Sequence, residues 1–216
     1  MEQRPERHRW WGWVQLAFAA LEIVAVGFQA AHQIDSGYSM TNFFSFFTIE
    51  ANIFAAVMLT VTGVFLLTGR DIDGLTMIRG AATLCMVITG IIYTLLLRDV
   101  DVQIPLPWVN AVLHYWMPVV LLTDWAMLRR ASVPFGRACW WLAIPVAYLA
   151  YSLIRGPIVG WYPYPFMDPR LHSTGLLIIN IVVVAVGVVL VTSLLTRLPA
   201  DGLLGRRDER RVSTAG

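Results

Sequence analysis

A stretch of apolar sequence near residue 45 carries several polar side chains that can do chemistry. From 41 to 52 it reads Thr-Asn-Phe-Phe-Ser-Phe-Phe-Thr-Ile-Glu-Ala-Asn. On a continuous helix Ser45, Thr48 and Asn52 would share one face, because their spacing follows the 3.6-residue turn. Hydrogen-bonding groups are costly at bilayer depth, so Ser45, Thr48 and Asn52 are candidate functional residues. Glu50 projects away from this face and is expensive within a membrane unless protonated, paired or hydrated.

The other candidate functional residue is His114. It follows Trp108 by six residues and Asn110 by four, and Pro118 comes one turn later. The spacing puts Asn110 and His114 on one helix face. Pro118 cannot donate to the carbonyl of His114, so we expect a local kink. The outer end of the second span offers hydroxyls at a similar depth, which favours a functional role for His114.

A purely structural role is the alternative for each of these residues. Ser45 and Thr48 can bond back to helix carbonyls. Asn52 can join two helices, and His114 can be a packing group. Other kinds of site are not indicated: the four histidines are far apart, and we expect no metal and no cofactor. The net charge of +2 and the scattered basic residues argue against a nucleic-acid partner.

The composition indicates what must position these side chains. Hydrophobic residues make up 57% of the chain and charged residues 14%, and mean hydropathy is +0.64; soluble proteins carry about 25% charged residues. Each of six apolar segments is long enough to cross a hydrocarbon core of about 30 Å. These segments are 11–31, 43–67, 75–97, 108–128, 136–154 and 174–196. We therefore predict an all-α polytopic membrane bundle over residues 1–200, followed by a flexible polar tail at 201–216.

The distribution of arginine predicts the orientation of this bundle. All 16 basic residues are arginine. With the N-terminus inside, thirteen fall in inner segments and three in outer ones, a strong positive-inside bias. Both termini are thus expected in the cytoplasm of a multi-pass cell-membrane protein, with a bacterial plasma membrane as its location. The outer loop before the last span then holds Tyr164, Asp168 and His172, which can form a lid or contact a polar head group.

Three more charged positions invite pairing. Asp124 lies near the inner end of the fourth span, close to Arg129, where a boundary salt bridge or snorkelling is expected. Glu22 lies within the first span. Glu22 and Glu50 can pair with Arg98 or Arg155 only if the helix ends come close. The sequence alone leaves this open.

Three segments together resemble a known family. Blocks 42–52, 108–118 and 161–168 are similar to the androgen-induced and androgen-dependent TFPI-regulating membrane proteins and their bacterial six-span relatives. The most specific match is Trp-x-Asn-x-x-x-His followed by Pro, and the second is the outer-loop Tyr-Pro-Phe with a following Asp. The resemblance implies a hydrolase of fatty-acid esters that uses a threonine and a histidine. The histidine corresponds to His114. The resemblance implies that His114 is the base that takes the proton of the hydroxyl nucleophile. In such a site Asn110, or a hydroxyl nearby, can orient the ring or stabilise the oxyanion.

The family's threonine has two candidate counterparts here. In a gapless placement the family's Phe-x-Thr-Phe falls on residues 43–46, which puts Ser45 at the nucleophile position. Thr48, one turn further along, is the competing candidate. The resemblance thus implies an intramembrane Ser/Thr–His hydrolase of long-chain, lipid-like esters that works among membrane lipids.

Two other functions remain open on the sequence. A small transporter or channel would use Glu50, Asn52 and His114 to line a polar path through the bilayer. A non-catalytic lipid-binding or scaffold protein would keep His114 as a structural residue. Water access to the hydroxyl–histidine pair separates the hydrolase from the scaffold, and a path continuing past Asp124 would favour transport.

Overall fold

The structure, a computed structural model, describes residues 9–100, 104–128 and 132–198. Within these ranges the chain is helical without strands, and six helices are long and apolar enough to cross a membrane. They are α1 (Arg9–Asp35), α2 (Phe47–Leu67), α3 (Asp73–Leu97), α4 (Pro107–Leu128), α5 (Phe135–Val159) and α6 (Thr174–Arg197). The six predicted spans are confirmed. The predicted tail at 201–216 lies outside the described ranges, and the orientation of the termini stays a prediction.

Helix α1 packs along α2 through small residues and carries a polar stripe. Gly12 and Gly63 face each other so closely that a Cβ on either would lie 3.0 Å from the other's carbonyl oxygen. Such glycine contacts let two membrane helices approach. On the same buried stripe of α1, Gln15, Glu22 and Gln29 recur every seven residues. The interface that apolar residues would normally fill is therefore partly polar.

The second predicted span is broken near its start. A short helix covers Met40–Phe43, residues 44–46 are not helical, and α2 begins at Phe47. Phe46 is extended, with φ −78° and ψ 128°. The single face expected for the three polar residues is therefore wrong for Ser45, which precedes α2. It holds for Thr48 and Asn52, which are four residues apart on α2.

Two π-helical turns face each other across α3 and α4. One covers Tyr93–Leu97 at the end of α3, and the other covers Val112–Trp116 within α4. The expected disturbance before Pro118 thus takes the form of a π turn. Because Pro118 has no N–H for the His114 carbonyl, the backbone bonding shifts to the wider spacing.

The last two helices leave most of their surface outside the bundle. The side chains there are large and apolar, and α6 alone exposes Ile178, Val182, Val186 and Leu190 among others. A soluble protein rarely exposes so large an apolar surface. In a membrane these faces contact lipid, so the exposed faces and the six long helices together indicate an integral membrane protein.

The charged residues inside the spans pair differently from the expectation. Asp124 accepts from Arg79 at 2.7 Å, and both side chains are buried. Trp11 and Gln15 donate to the same carboxylate at 2.8 and 2.5 Å. Arg79, counted above as an inner-loop arginine, is therefore a buried residue of α3, and Arg129 lies outside the described ranges. The salt bridge is interhelical because a buried carboxylate needs a partner at its own depth.

Neither glutamate of the first two spans pairs with the arginines suggested for it. Arg155 donates to the Asn42 side-chain oxygen at 2.6 Å and stacks over Trp161 at 5.4 Å from the ring centroid. Glu22 is fully buried, and its two carboxyl oxygens have no hydrogen-bond partner among the described residues. Glu50 is exposed in the first turn of α2, because the break at 44–46 moves the start of that helix towards it.

Candidate functional site

Thr48 and His114 meet between α2 and α4. The Thr48 hydroxyl lies 3.4 Å from Nε2 of His114, and both side chains are buried. The distance is longer than the roughly 2.6–3.2 Å of a tight hydrogen bond, as is common for catalytic pairs without substrate. The residue types and the separation fit a nucleophile and its base.

The imidazole ring of His114 is held in one orientation by two neighbours. Its Nδ1 lies 2.9 Å from the Asn110 side-chain oxygen, and the Asn110 amide donates to the Tyr93 hydroxyl at 2.7 Å. With the amide nitrogen facing Tyr93, the amide oxygen faces Nδ1 and can accept a hydrogen bond from it. A neutral His114 with its proton on Nδ1 would direct the lone pair of Nε2 towards Thr48. Tyr93 also stacks on the ring.

Two tyrosine hydroxyls bind the N-terminus of α2. The N–H groups of Phe47 and Thr48 donate to Tyr148 and Tyr164, each at 3.2 Å. First-turn N–H groups have no partner within their own helix, so these hydroxyls take the place of a capping side chain. Tyr148 donates its own proton to the Ser45 carbonyl at 3.0 Å. The helix start is thus fixed from two distant parts of the chain.

Tyr164 adds a second contact with the candidate nucleophile. Its hydroxyl lies 3.4 Å from the Thr48 hydroxyl as well as accepting from the Thr48 N–H. Burial raises the pKa of Tyr164, so the phenol keeps its proton at neutral pH and can donate it. A protonated phenol at this place can donate a hydrogen bond to a substrate oxygen that becomes negatively charged beside Thr48. The sequence suggested only a lid or head-group contact for Tyr164.

Ser45 is held in a different set of contacts. Its hydroxyl donates to the Thr41 carbonyl at 2.6 Å and lies 2.8 Å from the Tyr151 hydroxyl. Thr48 therefore occupies the place next to His114, while Ser45 lies within the helix break.

Asn52 and Glu50 lie on different faces of α2, one buried and the other exposed. Asn52 is fully buried and donates to the carbonyls of Thr48 at 2.7 Å and Leu113 at 3.3 Å. It joins α2 to α4 one turn below the candidate nucleophile. Glu50 is exposed and lines neither of the cavities described below.

Asp168 organises the loop before α6 rather than contacting Thr48. Arg170 donates to its carboxylate through two nitrogens, at 2.9 and 2.6 Å, and to the Gly160 carbonyl at 2.7 Å. These hydrogen bonds with Arg170 lower the pKa of Asp168. His172 is also in the loop and contacts the Pro165 carbonyl at 3.1 Å. The loop so fixed carries the buried Tyr164.

Two cavities meet at Thr48. The larger has a volume of about 170 Å³ and apolar walls from α2, α3, α5, α6 and the loop before α6. The smaller, of about 20 Å³, is lined by His114, Gln29 and Gln33 among others. Thr48 and Tyr164 line both cavities. An apolar chain in the larger cavity would bring its polar end to the hydroxyl–histidine pair.

No protein-family model matches the chain, and neither does any curated protein or solved structure. The contacts above therefore have to support a function by themselves. Among the described residues, no group of three or more His, Cys, Asp or Glu side chains is placed to hold a metal ion.

Four residues at the site were missed from the sequence. Tyr93 and Tyr148 contact the site from α3 and α5 and were hidden because tyrosine is common in membrane helices. Gln29 and Gln33 are buried on α1 and line the smaller cavity. A signal for Gln29 existed in the sequence, because Gln29 shares a seven-residue repeat with Gln15 and Glu22. Polar residues with that period inside an apolar span lie on one face.

Proposed function

We propose that this chain is an intramembrane hydrolase of long-chain esters, with Thr48 as nucleophile and His114 as base. The observation that supports this most is the 3.4 Å approach of His114 Nε2 to the Thr48 hydroxyl, which lies at the wall of an apolar cavity. Membrane lipids would surround the protein and deliver the substrate. The location in a bacterial plasma membrane remains part of the proposal.

The acylation step follows from the positions of three groups. Nε2 of His114 takes the Thr48 hydroxyl proton while the Thr48 oxygen bonds to the ester carbonyl carbon. The carbonyl oxygen becomes an oxyanion and accepts a hydrogen bond from Tyr164. When the oxyanion collapses, the bond to the alcohol oxygen breaks, and that oxygen takes the proton from His114. An acyl ester on Thr48 remains.

The family resemblance supports the same chemistry and is itself part of the proposal. It implies a threonine–histidine hydrolase, and His114 falls on the family's histidine. The gapless placement puts Ser45 on the family's threonine, whereas the contacts favour Thr48. We therefore propose that the alignment of this sequence with the family shifts by three residues at the helix break, so that Thr48 corresponds to the family's threonine.

A panel of long-chain p-nitrophenyl and glyceryl esters, hydrolysed by the detergent-purified protein, tests the proposal. Thr48→Val and His114→Gln should each lower kcat/KM by about 10²-fold or more, because the proton transfer is lost. Thr48→Ser should keep activity, since it keeps a hydroxyl. Thr89→Val is the matched control: Thr89 lines the same cavity, but its hydroxyl donates to the Cys85 carbonyl at 2.8 Å.

The outcomes separate the candidates. Loss of turnover in Ser45→Ala but not in Thr48→Val would move the nucleophile to Ser45. Absence of turnover in the wild type, or turnover indifferent to His114, would reject the hydrolase and leave lipid binding or transport.

Transport has one observation in its favour. Glu22 is a buried carboxyl without a described hydrogen-bond partner, seven residues from Gln15 on one side and from Gln29 on the other. Intramembrane carboxyls of this kind often belong to proton paths. Proton flux into proteoliposomes that is abolished by Glu22→Gln would favour this function. Flux equal to that of protein-free liposomes would reject it.

A further inference from the structure

The smaller cavity beside His114 has the size of one water molecule. Its volume of about 20 Å³ is above the roughly 10–15 Å³ that a single water needs. Five polar side chains contribute to its wall: Thr48, His114, Tyr164, Gln29 and Gln33. A buried water needs two to four polar partners, about the number this wall provides.

The two glutamines are suited to hold a water next to His114. Gln29 and Gln33 are 0% and 2% exposed and lie one turn apart on the same face of α1. An amide offers both N–H donors and a carbonyl acceptor. One amide N–H can therefore donate to a water oxygen while a carbonyl accepts one of its protons. The other water proton is then left for Nε2 of His114.

We propose that this cavity binds the water that deacylates Thr48, and that Gln29 and Gln33 position that water. The inference rests on the proposed hydrolase function. Nε2 of His114 takes one proton of the water as the water oxygen bonds to the acyl carbon on Thr48. On collapse the bond between that carbon and the Thr48 oxygen breaks. The Thr48 oxygen takes the proton back from His114, and the fatty acid leaves.

The positions of the two cavities agree with this step. Thr48 and Tyr164 line both cavities. The acyl chain thus extends from Thr48 into the larger cavity while the water approaches the acyl carbon from the smaller one. Tyr164 borders both and can donate to the oxyanion in acylation and in deacylation. His114, which lines the smaller cavity, can serve as base in each half of the reaction.

The test is pre-steady-state hydrolysis of a long-chain p-nitrophenyl ester by the full chain in detergent. Gln29→Met and Gln33→Met keep the side-chain volume but remove the amide. In these variants the first p-nitrophenol per protein should appear at the wild-type rate, because acylation does not use the water. Steady-state turnover should fall about tenfold or more, and the acyl group should accumulate on Thr48 by mass spectrometry.

Hydroxylamine gives a second readout that a structural role would not move. As a stronger nucleophile than water, it should cleave the accumulated acyl ester and raise turnover of the glutamine variants towards the wild-type value. The matched control is Gln15→Met, which removes the same amide from the same stripe of α1 beside Asp124. This control should show neither accumulation nor rescue.

Two results would overturn the assignment of the water site while leaving the hydrolase intact. One is an equal fall of the first turnover and the steady-state rate in both glutamine variants without acyl accumulation. The other is unchanged turnover in Gln29→Met and in Gln33→Met. A wild-type protein without Thr48-dependent turnover would instead overturn the hydrolase, and the water site with it.

Discussion

The rings of Tyr93 and His114 stack face to face, with centroids 3.8 Å apart and planes 17° from parallel. Each ring belongs to a π-helical turn, one on α3 and one on α4. A π turn inserts an extra residue into a helical turn and changes the direction of its side chains, and such turns recur at functional sites. Here the two turns together fix the plane of the ring that carries the proposed base.

Asn110→Leu should lower kcat about 10- to 100-fold with little change in KM. The reason is that the ring loses the acceptor that keeps its proton on Nδ1, so the protonated nitrogen can turn towards Thr48. Asn110→Asp keeps an acceptor and should retain more activity than Asn110→Leu. Steady-state kinetics on one long-chain ester measures both. Equal activity of Asn110→Leu and the wild type would refute the orienting role.

Tyr164→Phe and Tyr148→Phe form a matched pair, because each removes one hydroxyl from the N-terminus of α2. Each should lower the free energy of unfolding by about 1 kcal/mol, since each leaves an N–H without its partner. Only Tyr164→Phe should also lower kcat, about 10²-fold, through the lost donor to the oxyanion. Thermal unfolding and kcat on the same preparations separate the two effects. A similar kcat for the two variants would contradict the assignment.

The larger cavity should set the preferred chain length. Val188 lies on its wall, seven residues further along α6 than Ile181, which is the wall residue of α6 nearest in sequence to the loop of Tyr164. Val188→Phe should therefore obstruct the far part of the cavity, so kcat/KM should fall about tenfold for long chains and less for short ones. Val186→Phe, on the exposed face of the same helix, is the control. A uniform loss across chain lengths would argue against this location of the acyl chain.

Breaking the buried ion pair should cost more than removing it. Asp124→Leu leaves the Arg79 guanidinium buried without its carboxylate, so we expect a loss of about 3–5 kcal/mol in unfolding free energy. Arg79→Met combined with Asp124→Leu should recover much of that loss. Asp73→Asn, at an exposed acid near the start of α3, should have little effect. Denaturation in detergent measures the free energy of unfolding of all three variants. A loss in Asp124→Leu as small as that in Asp73→Asn would contradict the pairing.

The loop before α6 should loosen in acid. Arg170 lowers the pKa of Asp168, so their pairing stabilises the folded loop at every pH above the unfolded carboxyl value of about 4. That stabilisation disappears as the pH falls through the lower folded value. Wild type and Arg170→Gln should thus differ in Tm by a constant amount from neutral pH to about pH 5. The difference in Tm should shrink in stronger acid. A difference in Tm that does not change with pH would exclude Asp168 as the group through which Arg170 stabilises the loop.

Two sites show how far local sequence could predict contacts. Asn110 and His114 were placed on one face correctly because both lie in one helix and their spacing is local. The prediction that Ser45 shares a helix face with Thr48 was wrong, because the backbone breaks between these two residues. The partner of Asp124 was also missed, since Arg79 comes from another helix.

The sequence by itself determined the six spans, because hydropathy over about 20 residues is a local property that the bilayer reads directly. It also indicated His114 and two hydroxyls as candidate site residues. Only the tertiary structure decided which hydroxyl faces the histidine. The start of α2 depends on the hydroxyls of Tyr148 and Tyr164, which lie 101 and 116 residues from the N–H groups they accept. Contacts at that separation leave no periodic trace near residue 45, so the pairing of Thr48 with His114 emerges only when the helices pack.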